Sequence, residues 1–199
     1  MDSAGSIEPA MSTDSRRSVS DHGDLGDRIL DAARRLIVRT GARKLSLSDV
    51  AMVAGVSRQS IYRYFVSKEE LIDALGKQEY RRFNAALDAA ISGLTGRARL
   101  EAAVGVVATF VEDQPSGRLL DLDPGFAHEQ MAQALPMIAD GLTVVLEQCA
   151  NDDGVDAAVA ARDLAGAIAR TALSHYMFPD DDPASARSQI RAAAGLPAR

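Results

Sequence analysis

An all-α fold is predicted by three features of the sequence. From Asp24 onward, apolar residues recur at three- and four-residue intervals. No alternating run of β-branched residues bounded by turn signals reads as a strand. Ser and Asp precede the periodic stretches and Gly follows several of them, as N-caps and C-terminal stops would. The composition, 199 residues with 47% apolar and 25% charged, is that of an ordinary folded chain of one or two small domains. No apolar run approaches the roughly 18 residues that span a bilayer, and the N-terminus lacks the basic-then-apolar order of a signal peptide. A cytoplasmic location without membrane contact is therefore expected. The single cysteine, Cys149, can form no internal disulfide and cannot alone supply a zinc site, so neither metal nor cofactor is expected.

Residues 1–23 are rich in Ser, Asp and Gly and poor in large apolar side chains, which predicts a flexible tail. A first helix is expected from Asp24, with Ile29, Ala33, Leu36 and Ile37 on one face and Gly41 as its stop. Its other face carries Arg28, Arg34, Arg35 and Arg39, which read as a solvated surface. Ser46 and Asp49 stand at capping-box spacing ahead of a short second helix that buries Leu47, Val50, Ala51 and Ala54 and ends at Gly55. A third helix follows Ser57 and places Ile61 and Phe65 in the core at i and i+4. Ser67 and Glu70 form a second capping box, in which the Glu70 carboxylate should reach back to the Ser67 amide. It opens a long fourth helix with the stripe Leu71, Leu75, Phe83, Leu87, Ile91 and Leu94. Further helical patterns cover residues 100–113, 126–149, 156–177 and 183–194, with Pro136 expected to kink the second of these or to open a new helix.

The formal net charge of −6 argues at first against a polyanionic partner, but the charge is unevenly spread. Residues 27–83 carry 12 Lys and Arg against 7 Asp and Glu, a net +5, whereas residues 84–199 carry −8 and residues 1–26 carry −3. Within the basic stretch, residues 47–54, the turn Gly55-Val56-Ser57 and residues 58–65 form two short helices joined by a tight turn. Ala51 lets the helices approach, Gly55 gives the turn backbone freedom, and Ile61 packs back across the pair. This is the general helix-turn-helix pattern. From Ile29 through Leu71 the chain resembles the tetracycline-repressor (TetR) family in kind at each position. The block from Val53 through Ser57-Arg58-Gln59-Ser60-Ile61-Tyr62-Arg63-Tyr64-Phe65 to Leu71 carries the likeness most specifically. Leu45, Tyr64 and Val66 depart from the residues common in the family. The resemblance implies a homodimer that binds double-stranded DNA at a palindromic operator, as a repressor released by a small ligand. A recognition helix entering the major groove by its N-terminal half makes Arg58, Gln59 and Ser60 the base-reading candidates. Ser46, Tyr62, Tyr64 and Lys68 match positions that contact phosphate in the family, with Arg43, Lys44 and Arg63 as further electrostatic candidates.

The layout expected is thus a tail over 1–23, a helix-turn-helix domain over 24–70 and a helical regulatory domain over 71–199. Met and aromatic side chains adapt to irregular apolar ligands, so Phe110, Phe126, Met131, Met137 and Tyr176 are candidates to line a cavity for a small apolar or amphipathic ligand. His175 and His128 are candidate polar hooks beside them. In the Ala-rich stretch 156–177, Val159, Leu164, Ile168 and Ala172 are assigned, together with the segment 183–194, to the subunit interface that the resemblance implies. Asp180-Asp181-Asp182 reads as a solvated loop that caps the following helix rather than as a metal site. An enzyme would have to draw on Cys149 or a serine together with His128 or His175, and no nucleophile-elbow, phosphate-loop or paired-histidine motif accompanies them. An adaptor that had lost operator binding would show an eroded recognition helix, whereas Arg58, Gln59 and Lys68 are all in place. Activation rather than repression is the other alternative.

Overall fold

The computed structural model describes residues 13–112, 118–152, 158–180 and 182–197, and every regular element among them is helical. Helix α1 spans Thr13–Thr40, followed by a 3₁₀ turn at Ala42–Lys44. The short pair α2 (Leu47–Ala54) and α3 (Arg58–Tyr64) leads into α4 (Lys68–Ile91). Then come α5 (Gly96–Glu112), α6 (Arg118–Leu122), α7 (Pro124–Asp152), α8 (Ala158–Met177) and α9 (Pro183–Ala193).

The local chemistry sets most of the boundaries. Ser46 Oγ accepts the Asp49 amide at 3.1 Å and so caps α2. At the other end Gly55 adopts φ +67°, the Val56 amide reaches Ala51 O at 2.9 Å and the Gly55 amide reaches Met52 O at 3.3 Å. This is a complete Schellman motif, and it needs a residue without Cβ strain at Gly55. Ser57 and Ser67 cap α3 and α4 by accepting the amides of Ser60 and Glu70. The returning bond of the second box differs from expectation: Glu70 Oε2 takes the Val66 amide at 2.7 Å, one residue before Ser67. Asp182 accepts the Ala184 amide at 2.9 Å, which is the capping role foreseen for the aspartate run.

Two boundaries depart from the sequence reading. α1 begins at Thr13, so residues 13–23, expected to belong to a flexible tail, are helical; residues 1–12 lie outside the described residues. Extending a helix already nucleated around Ile29 costs far less than starting one, so a Ser- and Asp-rich segment can continue it. α7 runs from Pro124 to Asp152 through Pro136, so no new helix opens at that proline, and the short helix α6 ahead of it carried no sequence signal.

The apolar residues divide into two cores. Ile29, Ile37, Val50, Ala51, Ile61, Phe65 and Leu71 enclose the helix-turn-helix unit, and Val104, Val107, Leu142, Val145, Ile168 and Ile190 enclose the body formed by α5, α7, α8 and α9. α4 serves both, with Leu71 and Leu75 in the first core and Phe83 and Leu87 in the second. The assignment of Ile168 and Ala172 to a subunit interface is corrected by this packing: both have 0% exposure within their own chain. Leu164 packs half-buried on the same core, and the side chain of Val159 lies outside the described residues. A stripe of apolar residues at helical spacing marks a buried face but does not say whether its own chain or a partner covers it.

A second connection joins the two units. Leu120, Phe126 and Ala127, from α6 and the first turn of α7, pack on the helix-turn-helix core. Between these helices Asp123, only 4% exposed, accepts the Arg43 amide through Oδ2 at 2.9 Å and the Phe126 amide through Oδ1 at 3.4 Å. The Arg43 Nε lies 3.6 Å from the same carboxylate. Burial alone would raise the Asp123 carboxyl, but the two amides and the Arg43 guanidinium outweigh it and hold it below its ordinary 3.8.

Two outcomes are expected. Ile168→Ala should destabilise the folded chain by about 2–5 kcal/mol in urea unfolding, as a core truncation does; a loss of self-association with unchanged unfolding would return Ile168 to an interface. Asp123→Asn should cost about 1–3 kcal/mol near neutral pH. Because the folded-state value is depressed, the aspartate's stabilisation is present above 3.8 and is lost as pH falls through the lower folded value. The gap between wild type and variant should therefore close in that acid range, and a gap that persists there would contradict an ionised Asp123.

Candidate functional site

The outer face of α3 is built by subtraction. Ile61 is fully buried and Phe65 nearly so, which fixes the rotation of the helix about its axis. Arg58, Gln59, Tyr62 and Arg63 are then exposed, and their i, i+1, i+4 and i+5 spacing puts them on one face. Tyr62 keeps 53% of its surface in solvent, a large amphipathic side chain with no place in the core. Exposed Arg43 and Lys44, in the 3₁₀ turn, add positive charge to that of Arg58 and Arg63.

The remaining candidates are already engaged within the chain. Ser60 is half-buried, its Oγ 2.9 Å from Ser57 Oγ. The Ser46 hydroxyl caps α2 and donates to Asp49 Oδ2 at 2.6 Å. Lys68 Nζ donates to the carbonyls of Ala42 at 3.2 Å and Arg43 at 3.4 Å, so it binds the start of α4 to the 3₁₀ turn. Tyr64 lies half-buried against the helix-turn-helix core, with the Arg63 guanidinium 5.8 Å from its ring centroid. It separates from Tyr62, two positions earlier, because residues two apart on a helix face different ways.

Two arginines read as solvated are structural. Arg28 Nη2 donates to Ala54 O at 2.9 Å, which satisfies a carbonyl at the end of α2. Arg34 pairs with Asp31 at 3.0 Å and Glu79 at 3.5 Å, and Arg82 closes the network to the same two carboxylates, so charge ties α1 to α4. Burial would raise the Asp31 carboxyl, but hydrogen bonds from Arg34 and Arg82 hold it below its ordinary value. No spacing rule pairs residues 28 and 54, so the sequence could not give this contact.

A cavity of about 290 Å³ opens between the two units. Five of the proposed lining residues meet there: Phe110, Phe126, Met131, Met137 and Tyr176. The near wall is formed by Ile37 and Val38 of α1 with Leu75, Gly76 and Phe83 of α4, residues that sequence reasoning assigned only to core or helix. Phe83 and Phe110 meet edge to face at 5.5 Å. Burial raises the Tyr176 hydroxyl above its ordinary value, so it stays a neutral donor or acceptor at physiological pH. Arg34, Asp73, Lys77, Glu79, Gln130 and Gln133 supply polar groups to the wall. His175 does not line the cavity; it is buried with Nδ1 3.5 Å from Asp180 Oδ2 at the junction of α8 and α9. His128 is exposed and also lies off the cavity. Among the described residues no group of three or more His, Cys, Asp or Glu is placed to hold a metal, and no helix is long and apolar enough to cross a membrane.

A sequence model of the tetR family of bacterial regulatory proteins matches residues 29–75, the span that holds the helix-turn-helix core. An uncharacterised HTH-type transcriptional regulator of Mycobacterium tuberculosis is 31% identical over 167 residues, covering 82% of this chain and 80% of its own length. The fold is shared with a TetR transcription regulator from Haloarcula marismortui at a TM-score of 0.67 and 19% identity, over 87% of this chain and 97% of that one. It is also shared with the regulator FadR of Bacillus subtilis, solved in complex with stearoyl-CoA, at a TM-score of 0.64 and 18% identity, over 84% and 95% of the two chains. The chain thus belongs to the tetR family of bacterial regulatory proteins and is a helix-turn-helix transcriptional regulator.

Proposed function

We propose that this regulator is a cytoplasmic repressor that binds a palindromic operator as a homodimer and leaves it when a small apolar or amphipathic ligand fills the cavity between its two units. The division of labour follows the expected layout, with residues 24–70 reading DNA and residues 71–199 sensing the ligand and holding the dimer. One observation carries the reading: the exposed face of α3, with Arg58 and Gln59 in its first turn, belongs to a unit whose α1 and α4 also wall an apolar cavity. Arg58 offers two donors to guanine and Gln59 a donor and an acceptor to adenine, at the end of the helix that would enter the major groove. Ser60 sits beside them, and in this reading the exposed Tyr62, Arg63, Arg43 and Lys44 contact phosphate. Residues 84–199, with a net −8, do not compete for the duplex, and the net positive charge lies in residues 27–83. FadR, solved with stearoyl-CoA, shares this fold, and that supports a long apolar chain as one kind of occupant. A ligand that binds only the arrangement unsuited to two successive major grooves would shift the population away from DNA.

Selection of bound duplex from a random pool tests the reading. Wild type should enrich a palindrome, and Arg58→Ala should lose preference at one base pair of each half-site, with a cost of about 1–3 kcal/mol there. Identical profiles would remove Arg58 from base reading. Lys68→Ala should weaken binding to all duplexes alike and lower the salt slope by about one if Nζ meets phosphate. An unchanged slope with weaker binding would assign Lys68 solely to holding the 3₁₀ turn through Ala42 and Arg43.

A further inference from the structure

We infer that Asp123 is a positioning residue that couples the cavity to the DNA-reading helices, a role that rests on the proposed use of α3 and of the cavity. Its carboxylate holds two units by opposite oxygens: Oδ1 accepts the Phe126 amide in the first turn of α7, and Oδ2 accepts the Arg43 amide in the turn before α2. Phe126 is both a wall of the cavity and a contact of the helix-turn-helix core, and Ala127 beside it is buried in that core. On the reading side, Lys68 Nζ grips the carbonyls of Ala42 and Arg43, so the turn that Asp123 holds is also fastened to the start of α4. Gly41 packs beside this junction, where its backbone conformation rather than crowding calls for glycine. Its φ of +81° is a conformation that side chains rarely adopt, and a Cβ there would lie 3.4 Å from Asp123 Cβ and 3.6 Å from Leu122 O.

A reading unit attached to the body through α4 alone could pivot about that helix. A second attachment, through the α6–α7 junction, restrains that pivot, and Asp123 is the polar centre of that attachment. A ligand that displaces Phe126 moves the first turn of α7 and the Asp123 carboxylate with it, and this carries the Arg43 amide out of place. Coupling is reciprocal, so DNA bound by α3 must in turn steady the first turn of α7, which has no part in the reading face. The duplex itself can therefore serve as the probe, with no effector needed.

Amide hydrogen exchange, with and without the duplex enriched by the wild-type chain, tests the coupling in three proteins. Wild type should show slowing of about fivefold or more at residues 126–131 when DNA is bound, together with slowing in α3. Asp123→Ser keeps a good N-cap for α7 but is too short to hold Arg43, so slowing in α3 should persist while that at residues 126–131 disappears. Asp123→Asn, which keeps the shape and loses the charge, should behave in the same way. A variant that merely loosened the fold would exchange faster in both states and leave the ratio between them unchanged. Slowing at 126–131 that survives in both variants, or that is absent from wild type while α3 is protected, overturns the coupling alone. No protection of α3 in wild type overturns both the coupling and the DNA reading on which it rests.

Discussion

Helix α4 gives one end of its apolar stripe to the helix-turn-helix core and the other to the body, and most of the architecture follows from this double burial. Leu71 and Leu75 cannot leave the first core, nor Phe83 and Leu87 the second, without exposing large apolar side chains to water. The helix between them is therefore a rod whose position is set at both ends. The space left beside it, where neither core closes completely, is the cavity walled by Leu75, Phe83, Phe110 and Phe126. The Arg34 and Arg82 network with Asp31 and Glu79 runs along the same rod and links it to α1. Exposed pairs of this kind contribute little stability individually, and their use here is to set the register of α1 against α4.

The exposed face of α3 depends on the same constraint. Ile61 and Phe65 orient α3, and the core that buries them is completed by Leu71 of α4 and by Ala127 of α7. A change at the cavity thus has two physical routes to α3, through α4 and through the α6–α7 junction. Close-packed protein interiors respond to displaced side chains by shifting whole elements rather than by local compression. The local chemistry around α2 and α3 is stiff: Arg28 on Ala54 O, the Schellman turn at Gly55 and the serine caps leave the pair little freedom of its own. These contacts tie the two helices to each other as one unit.

The parts of this structure that were legible in the sequence are those written in local chemistry. Ser46, Gly55, Ser57 and Ser67 announce helix ends because a single residue satisfies the orphan amides or adopts the left-handed turn. The outward residues of α3 follow from the two apolar positions that must be inward. Five cavity residues were legible because Met and aromatic side chains gather where packing is irregular. The tertiary contacts were not. Arg28 with Ala54, Lys68 with Ala42 and Asp123 with Arg43 join residues 26 to 80 positions apart, and no periodicity encodes them. Ile168 and Ala172 failed as interface residues for a related reason: burial is visible in a stripe, but the identity of the covering surface is not. Tyr62 and Tyr64 show the same limit on a smaller scale, since identical residues two positions apart part company, one into solvent and one against the core.

In the proposed complex the α3 face of each of two copies enters the major groove. Dimethyl sulfate footprinting of the complex with its enriched duplex tests this most directly, because guanine N7 is reached from the major groove and adenine N3 from the minor. The expected result is guanine N7 protection in two clusters about 10 base pairs apart, or a multiple of that spacing, symmetric about the centre of the site. Protection confined to adenine N3, or one cluster without a symmetry mate, would contradict the account.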